Sequence, residues 1–408
     1  MSARWIVADV FDGLSTLEDG SVDLIITSPP FLALRSYLPA DHPDKDKEIG
    51  SESTPAEFLD VMLRVTAELR RVLAPHGSIA IELGDTYAGS GNGPDALKPS
   101  DNGAHDLWKD ESVPMRKGEG WPLAKSKTLI PELFRIALAY GFNPLTGQPS
   151  PAGKWRVRNV VAWCRPNPPV GALGDKWRPA TSDVVVACVS GKRYWDDLAT
   201  RKAYTEPVKE MRVGAASASK GVSGGDSGNP DKLRVNQSTT GGAPLLDYWE
   251  IPPGGYKGSH YAVFPPELVV PLVKAMCPEK VCRTCGEPSR RIVKYSRPIE
   301  RDDSQRAKHA NGERPAPGRQ DRAPEVGWEI DRETTGWTDC GCSNGHCNGD
   351  YPCDDHWRPG LVLDPFAGSG TTLAVAQGHG HDAIGIDLDE RNAELARGRL
   401  GMFLEVVS

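Results

Sequence analysis

No stretch of the 408 residues approaches the roughly 20 consecutive apolar residues that a membrane span requires, so a membrane-embedded chain is not expected. The opening MSARWIVADVF lacks the basic, apolar and small-residue succession of a secretory leader, and the expected location is the cytoplasm of a bacterial or phage-infected cell. An excess of basic charge is missing too. With 48 Lys and Arg against 55 Asp and Glu the net charge is -7, which argues against a chain that coats nucleic acid by bulk charge and leaves open a local basic face. A small disulfide-stapled scaffold is excluded by length, which suggests two or three domains. The nine cysteines are an odd number, and seven of them fall between Cys277 and Cys353, a clustering that reads as metal binding in a reducing compartment. Gly and Pro, 43 and 35, concentrate in certain stretches and predict a folded body carrying long irregular insertions.

Along the chain, residues 4 to 9 and 21 to 27 read as strands around a short helix at Leu14 and Leu17, and Pro29-Pro30 stops the second strand. Phe58, Val61, Met62, Val65 and Leu69 recur at helical spacing within 54 to 73, and 78 to 83 follows as a strand. Residues 128 to 140 read as a helix, and 158 to 164 and 182 to 189 as core strands. Three low-complexity stretches, 86 to 127, 205 to 243 and about 286 to 339, read as flexible excursions. The end is a compact succession: strand 361 to 364, glycine turn, helix 371 to 378, strand 382 to 387 and a closing helix. Alternating strands and helices predict an α/β fold with a mostly parallel sheet covered on both faces.

The turn Asp364-Pro365-Phe366-Ala367-Gly368-Ser369-Gly370-Thr371-Thr372 follows a strand and opens a helix, where open α/β sheets bind nucleotides. Its glycines permit positive φ and close backbone approach. It lacks the Lys of a phosphate loop. Asp364 would repel phosphate and welcome an ammonium or sulfonium, while Asp387 is placed to accept from ribose hydroxyls. On residue types a cationic nucleoside such as S-adenosylmethionine fits better than NAD or ATP; the alternative is a strand-to-helix turn that merely needs glycine.

Ser28-Pro29-Pro30-Phe31 ends a buried strand with a locked backbone. An exocyclic ring amine is a poor nucleophile because its lone pair is delocalised, and two acceptors must hold its N–H groups. The Ser28 hydroxyl and the Pro29 carbonyl could do so, directing the lone pair at a sulfonium methyl, with Phe31 stacking on a base flipped from the duplex. Taken alone the motif is weak, since proline pairs end many strands.

With both motifs in hand, the sequence resembles the amino-group DNA methyltransferases that modify cytosine N4 or adenine N6, in the beta-class order where the catalytic motif precedes the cofactor motif. Residues 27 to 31 match the catalytic motif, 364 to 372 the cofactor motif and 384 to 388 the ribose-binding strand, with landmarks at 70 to 78, 163 to 168, 192 to 197 and 260 to 268 between them. The resemblance implies a Rossmann-like, circularly permuted methyltransferase sheet in which residues 1 to 31 and 361 to 400 meet. It also implies that Asp9 meets the cofactor's adenine amine and that Phe264 packs near its methionine end. Ser at the first motif position resembles the cytosine-N4 members, yet a hydroxyl both donates and accepts, so adenine stays open.

Cys282-Arg283-Thr284-Cys285-Gly286 is a zinc-knuckle half-site and Cys340-Gly341-Cys342 a second half, four thiolates that would close a structural zinc site. Cys347, Cys353, His346 and His356 compete as ligands, and free cysteines in a loop-rich region are the alternative. The insertion is basic at Arg283, Arg290, Arg291, Lys294, Arg297, Arg301 and Arg306, as is the stretch holding Lys154, Arg156, Arg158, Arg165, Lys176 and Arg178, so DNA-backbone contact stands beside a solvated face. The expected organisation is a catalytic region over residues 1–197, a target-recognition segment over 198–247, a return over 248–281, a Cys-rich zinc-binding insertion over 282–358 and a cofactor-binding region over 359–408. The expected function is an S-adenosylmethionine-dependent cytosine-N4 methyltransferase of double-stranded DNA, in a restriction-modification setting and with a homodimer as the assembly the resemblance suggests. Adenine-N6 methylation, a zinc-stabilised DNA-binding protein without turnover, and an RNA or protein methyltransferase are the competing readings.

Overall fold

Short β-branched runs alternating with amphipathic stretches assemble into one nine-stranded sheet with helices on both faces. The structure, a computed structural model, describes residues 2–39, 41–89, 116–168, 175–201, 243–253, 264–296, 331–342, 356–401 and 404–407. In chain order the strands are β1 (Ala3–Val7), β2 (Val22–Thr27), β3 (Leu73–Leu83), β4 (Arg156–Cys164), β5 (Thr181–Cys188), β6 (Tyr248–Glu250), β7 (Val281–Cys282), β8 (Arg291–Ser296), β9 (Asp331–Trp337), β10 (Trp357–Arg358), β11 (Leu361–Asp364), β12 (Asp382–Asp387) and β13 (Leu404–Val407). The large sheet runs β13-β1-β12-β11-β2-β3-β5-β4-β6. From β13 to β3 all neighbours are parallel; β5 is antiparallel to both β3 and β4, and β6 is parallel to β4.

One face is covered by α1 (Val10–Ser15), α2 (Pro55–Val72) and α3 (Ile130–Tyr140), the other by α4 (Pro266–Met276), α5 (Thr371–Gly378) and α6 (Glu390–Leu400). The start of α2 is written into its sequence. Thr54 accepts from the Glu57 N–H while the Glu57 carboxylate accepts from the Thr54 N–H, a reciprocal cap with Pro55 in the first turn. Behind it Phe58, Leu59, Met62, Leu63 and Leu69 are buried against the sheet. Alternate residues of β3 point to opposite faces, so Ile79, Ile81 and Leu83 join the α2 side and Ala80 the α4 side.

The two ends of the chain interleave as the permuted order requires. β1 pairs with β12 and β11 with β2, in registers such as Ala3↔Ala383 and Val362↔Leu24. At the ends of β2 and β11, the Thr27 hydroxyl donates to Asp364 Oδ1 at 2.6 Å across 337 positions of sequence. The strands and helices expected from periodicity are all present within a few residues. α4 was not expected, because its apolar run holds Pro271 and follows two prolines. The stretch about 286 to 339 is not irregular throughout: β8 and β9 form an antiparallel hairpin with Ile292, Val293 and Thr334 in the ladder, and the long polar connection between them hides that alternation in the sequence.

The chain divides into two compact units, residues 1–199, 246–290 and 339–408 in the first and 200–245 with 291–338 in the second, which holds the β8–β9 hairpin. Most of the expected target-recognition segment, 202–242, and the centre of the 86 to 127 excursion lie outside the described residues. Among the described residues no helix is long and apolar enough to cross a membrane.

Removing the hydroxyl that ties β2 to the Asp364 turn leaves a buried carboxylate short of one donor. Thr27→Val, close to isosteric, is expected to lower stability by about 1–3 kcal/mol in urea unfolding, the cost of an unsatisfied buried polar group. An unchanged midpoint would show that the bond is not a tie.

Candidate active site

At the carboxyl edge of the sheet, the ends of β1, β2, β3, β11 and β12 deliver Asp9, Ser28, Glu82, Pro365 and Asp387 to one pocket of about 300 Å³. Crevices outside the carboxyl ends of strands are where open α/β sheets bind ligands. Of the residues expected from sequence, Asp9, Ser28, Pro29, Pro30, Phe31, Phe264, Pro365, Phe366, Ala367, Gly368, Ser369, Thr371 and Asp387 all line it. Asp364 and Gly370 do not; they build the turn from behind. The charged lining holds five acids, Asp9, Glu48, Glu82, Asp387 and Asp389, against three bases, Arg35, Lys47 and Arg165, a balance that favours a cationic ligand.

The glycine turn has the conformation its sequence requires. Gly368 and Gly370 sit at φ 51° and 76°, in the left-handed region that costs a side chain. A Cβ on Gly385 of β12 would come within 2.9 Å of Ala367 and 3.0 Å of Leu373, so that strand glycine makes room for the turn. Asp364 is a framework residue and not a pocket wall: its oxygens accept from Thr27 Oγ1 at 2.6 Å, Thr372 Oγ1 at 2.6 Å and the Phe366 N–H at 3.1 Å. Its direct approach to a cationic ligand, expected from sequence, is replaced by this role because every nearby donor lies within the turn or on the strand beside it. Burial pushes its carboxyl up to about 6, against those hydrogen bonds.

Asp387 accepts from the Gly368 N–H at 2.7 Å, the Asp389 N–H at 2.9 Å and Asn392 Nδ2 at 2.9 Å. A carboxylate has about four lone-pair sites, so capacity for a ligand hydroxyl remains. Burial pushes this group up to about 6 as well. Asp9 is raised by burial, but hydrogen bonds from Asp12 and Phe11 and the nearby Lys47 outweigh that and hold it below the usual carboxylate range. Ser369 contributes a buried hydroxyl with no hydrogen-bond partner among the described residues.

At the other wall, the Ser28 hydroxyl donates to Glu82 Oε2 at 2.5 Å. Sequence reading missed Glu82, which looks like one polar residue in a β3 run; what distinguishes it is an acid on the apolar side of a buried strand. Burial raises its carboxyl, while the Ser182 and Ser28 hydroxyls and Arg165 pull the other way. Gly84, two residues on, was missed for the same reason: a Cβ there would occupy the space of the Phe31 ring. Trp163 and Arg165 complete this wall, the guanidinium 5.1 Å above the indole and its Nε buried without a hydrogen-bond partner among the described residues.

Away from the pocket, the Sγ atoms of Cys282, Cys285, Cys340 and Cys342 lie within 4.8 Å of one another, and none forms a disulfide. His356 is described beside them; the other candidate ligands Cys347, Cys353 and His346 lie outside the described residues. Of the basic residues considered for DNA contact, Arg290 is engaged in the body, donating to the carbonyls of Lys192 and Arg193 at 3.0 and 3.1 Å. Arg291 stacks on Trp337 at 4.7 Å. Arg297, Arg301 and Arg306 lie outside the described residues.

A family model described as DNA methylase matches residues 22–282 and 358–398. The type II methyltransferase M.Cfr9I of Citrobacter freundii is 26% identical over 270 residues, which cover 65% of this chain and 70% of the relative. The type II methyltransferase M.SmaI of Serratia marcescens is 23% identical over 409 aligned positions, covering 98% and 91%. Among solved structures, PvuII DNA methyltransferase (cytosine-N4-specific) shares a TM-score of 0.49 at 12% identity, covering 97% of this chain and 86% of that one.

The raised carboxyls give a pH signature. A group held near 6 in the fold and near 3.8 unfolded binds its proton more tightly when folded, so its stabilising contribution is complete below about 4 and lost as pH rises through about 6. The stability difference between the protein and Asp387→Asn, followed by urea unfolding from pH 4.5 to 7, is expected to change with that sign. A difference independent of pH would remove Asp387 as the titrating group.

Proposed function

This chain belongs to the N6/N4 family of DNA methylases, and we propose that within it the enzyme methylates the exocyclic N4 amine of cytosine in double-stranded DNA. The modification half of a restriction-modification pair is the setting that fits, since the similar curated proteins are named type II methyltransferases. The observation that carries the reading is the Ser28–Glu82 hydrogen bond in the same pocket as the glycine turn.

The methyl donor we propose is S-adenosylmethionine, which when bound supplies an electrophilic methyl on sulfonium. The pocket fits it by an acid excess for the cation, an unpartnered Ser369 hydroxyl, spare acceptor capacity on Asp387 for ribose, and glycines that admit the ligand close to the backbone. Asp9 and Phe264 flank the same pocket.

Because the Ser28 hydroxyl spends its proton on Glu82, its lone pairs face the pocket as acceptors. Ser28 then takes one N–H of the amine and the Pro29 carbonyl the other, turning the nitrogen lone pair towards the methyl carbon. As the N–C bond forms and the C–S bond breaks, positive charge develops on nitrogen, and Glu82 stabilises it through Ser28. The proton leaves after transfer, with the Ser28–Glu82 pair as its first acceptor. Phe31 and Trp163 offer aromatic surfaces for the flipped base.

Arg165 supports cytosine over adenine. Beside its amine, cytosine presents two neighbouring acceptors, N3 and the O2 carbonyl, which match the forked donors of a guanidinium; adenine presents N1 followed by a C–H. A structural zinc ion at the four cysteines belongs to the same reading and stands apart from the reaction, since amine methylation needs no metal-activated water.

Incubation with duplex DNA and labelled S-adenosylmethionine, digestion to nucleosides and mass spectrometry should yield N4-methylcytosine. N6-methyladenine would overturn the base, and absence of product despite donor binding would overturn catalysis. Ser28→Ala should lose about 100-fold or more in kcat, as removal of a transition-state hydrogen bond does elsewhere. Glu82→Gln should lower kcat with little change in donor affinity and should abolish the acidic limb of the pH–rate profile. An unaltered profile would confine Glu82 to packing.

A further inference from the structure

The four cysteines sit where the chain leaves the sheet after α4 and returns to it before β11, and that place gives the metal reading a mechanical consequence. Within the turn after Cys282 the backbone N–H groups of Thr284 and Cys285 point at Cys282 Sγ, at 3.3 and 3.4 Å. Gly286, at φ 73°, closes the turn with its N–H on the Cys282 carbonyl at 3.0 Å. Donors aimed at sulfur favour the thiolate, the form that binds metal. Cys340 and Cys342 bring the second pair of sulfurs from more than fifty positions away, around another left-handed glycine, Gly341 at φ 74°. Separations within 4.8 Å accommodate a tetrahedral ion with Zn–S bonds of about 2.3 Å. His356 Nε2 lies 3.2 Å from Cys282 Sγ and 3.1 Å from Cys340 Sγ, close enough for one N–H to be shared by two thiolates.

The next two residues after His356 tie this cluster to the core. Trp357 and Arg358 form β10, paired antiparallel with β7, with Trp357 opposite Cys282 and Arg358 opposite Val281. The His356 carbonyl accepts from the Arg283 N–H at 3.0 Å. From β10 the Arg358 guanidinium reaches Asp23 of β2 in a forked pair, Nη1–Oδ2 at 2.5 Å and Nη2–Oδ1 at 3.1 Å. Asp23 is fully buried, and His76 Nε2 at 2.9 Å and the Leu361 N–H at 2.7 Å complete its partners. An isolated carboxylate at that depth would be strongly unfavourable. Arg358 is therefore the cation that makes the foot of the catalytic strand tenable, and it is carried by a two-residue strand anchored between the cysteine cluster and the start of β11.

We propose that Cys282, Cys285, Cys340 and Cys342 bind one zinc ion, with His356 as an N–H donor to two of the thiolates, and that the ion fastens β10 so that Arg358 stays paired with Asp23. This rests on the zinc reading of the four cysteines but not on which base is methylated. The metal serves the stability of the methyltransferase sheet, and the 283–357 stretch that the family match skips is closed by its own clip.

Elemental analysis of the purified full chain should find one zinc per chain, lost in Cys285→Ser and Cys342→Ser and retained in His356→Gln. Finding no zinc would overturn the site, and loss in His356→Gln with retention in Cys342→Ser would overturn the ligand set. Coupling is read by amide hydrogen exchange on the full chain with and without a chelator. Metal removal should speed exchange at Leu361 and in the 22–27 strand while sparing α3. Unchanged exchange at those positions would overturn the fastener and leave the metal site standing. In Asp23→Asn/Arg358→Met, which removes both charges together, zinc should still bind, and the drop in melting temperature on chelation should shrink; a drop as large as in the parent would also overturn it.

Discussion

The architecture depends on one parallel seam, β2 against β11, where residues from opposite ends of the chain lie side by side. Its upper end is closed by the Thr27–Asp364 hydrogen bond. That bond does two jobs at once because each partner begins a working turn: Ser28-Pro29-Pro30-Phe31 follows Thr27, and the glycine turn follows Asp364. Two locked prolines on one side and a carboxylate bonded by Thr27, Thr372 and the Phe366 N–H on the other hold both turns in place. A methyl transfer needs its donor and acceptor atoms aligned within a few tenths of an ångström, and a shared strand seam supplies that alignment before any ligand arrives.

The charged groups of the pocket divide into those that build it and those that face the ligand. Asp364 builds: it is buried, takes its three hydrogen bonds from strand and turn, and is absent from the wall. Asp387 does both, bonding the Gly368 N–H while keeping capacity outward. Glu82 accepts the hydrogen bond of the Ser28 hydroxyl, which leaves that oxygen its lone pairs. A serine alone can donate or accept, and the buried acid removes that freedom. Arg165 stands near enough to lower the cost of an ionised Glu82, and its Nε has no hydrogen-bond partner among the described residues.

What could be read from the sequence follows from which forces are local. The helical spacing of Phe58, Met62 and Val65 and the glycines of 368 and 370 act over a few residues and declare themselves in the letters. The permuted meeting of the chain's ends was expected too, from the resemblance to the beta-class methyltransferases and not from any local signal. Glu82, Gly84 and the Arg358–Asp23 pair were not. Each has its meaning only against a partner far along the chain: Ser28, Phe31 and Asp23 give no local sign of needing them. The antiparallel β3–β5–β4 turn-back and α4 were hidden for a different reason, since pairing direction leaves no period in sequence and Pro271 reads as a break although the helix continues through it.

Strand β2 also explains how one chain can carry a reactive pocket and a cysteine cluster without either disturbing the other. Asp23 and Thr27 are four residues apart, about 13 Å at the rise of an extended strand, and they mark its two ends. The pocket hangs on the Thr27 end and the Arg358 pair on the Asp23 end, so the cysteine cluster lies at the edge of the sheet opposite the chemistry. The entropy of closing so long a loop as the one between Cys285 and Cys340 grows only slowly with its length. The larger cost is local: an arginine must return to the same carboxylate after every excursion. One ion held by the four sulfurs, as proposed, would close the 286–339 stretch and leave fifteen residues, 343–357, before Arg358, and that shorter return is the physical reason for a clip at that place in the fold.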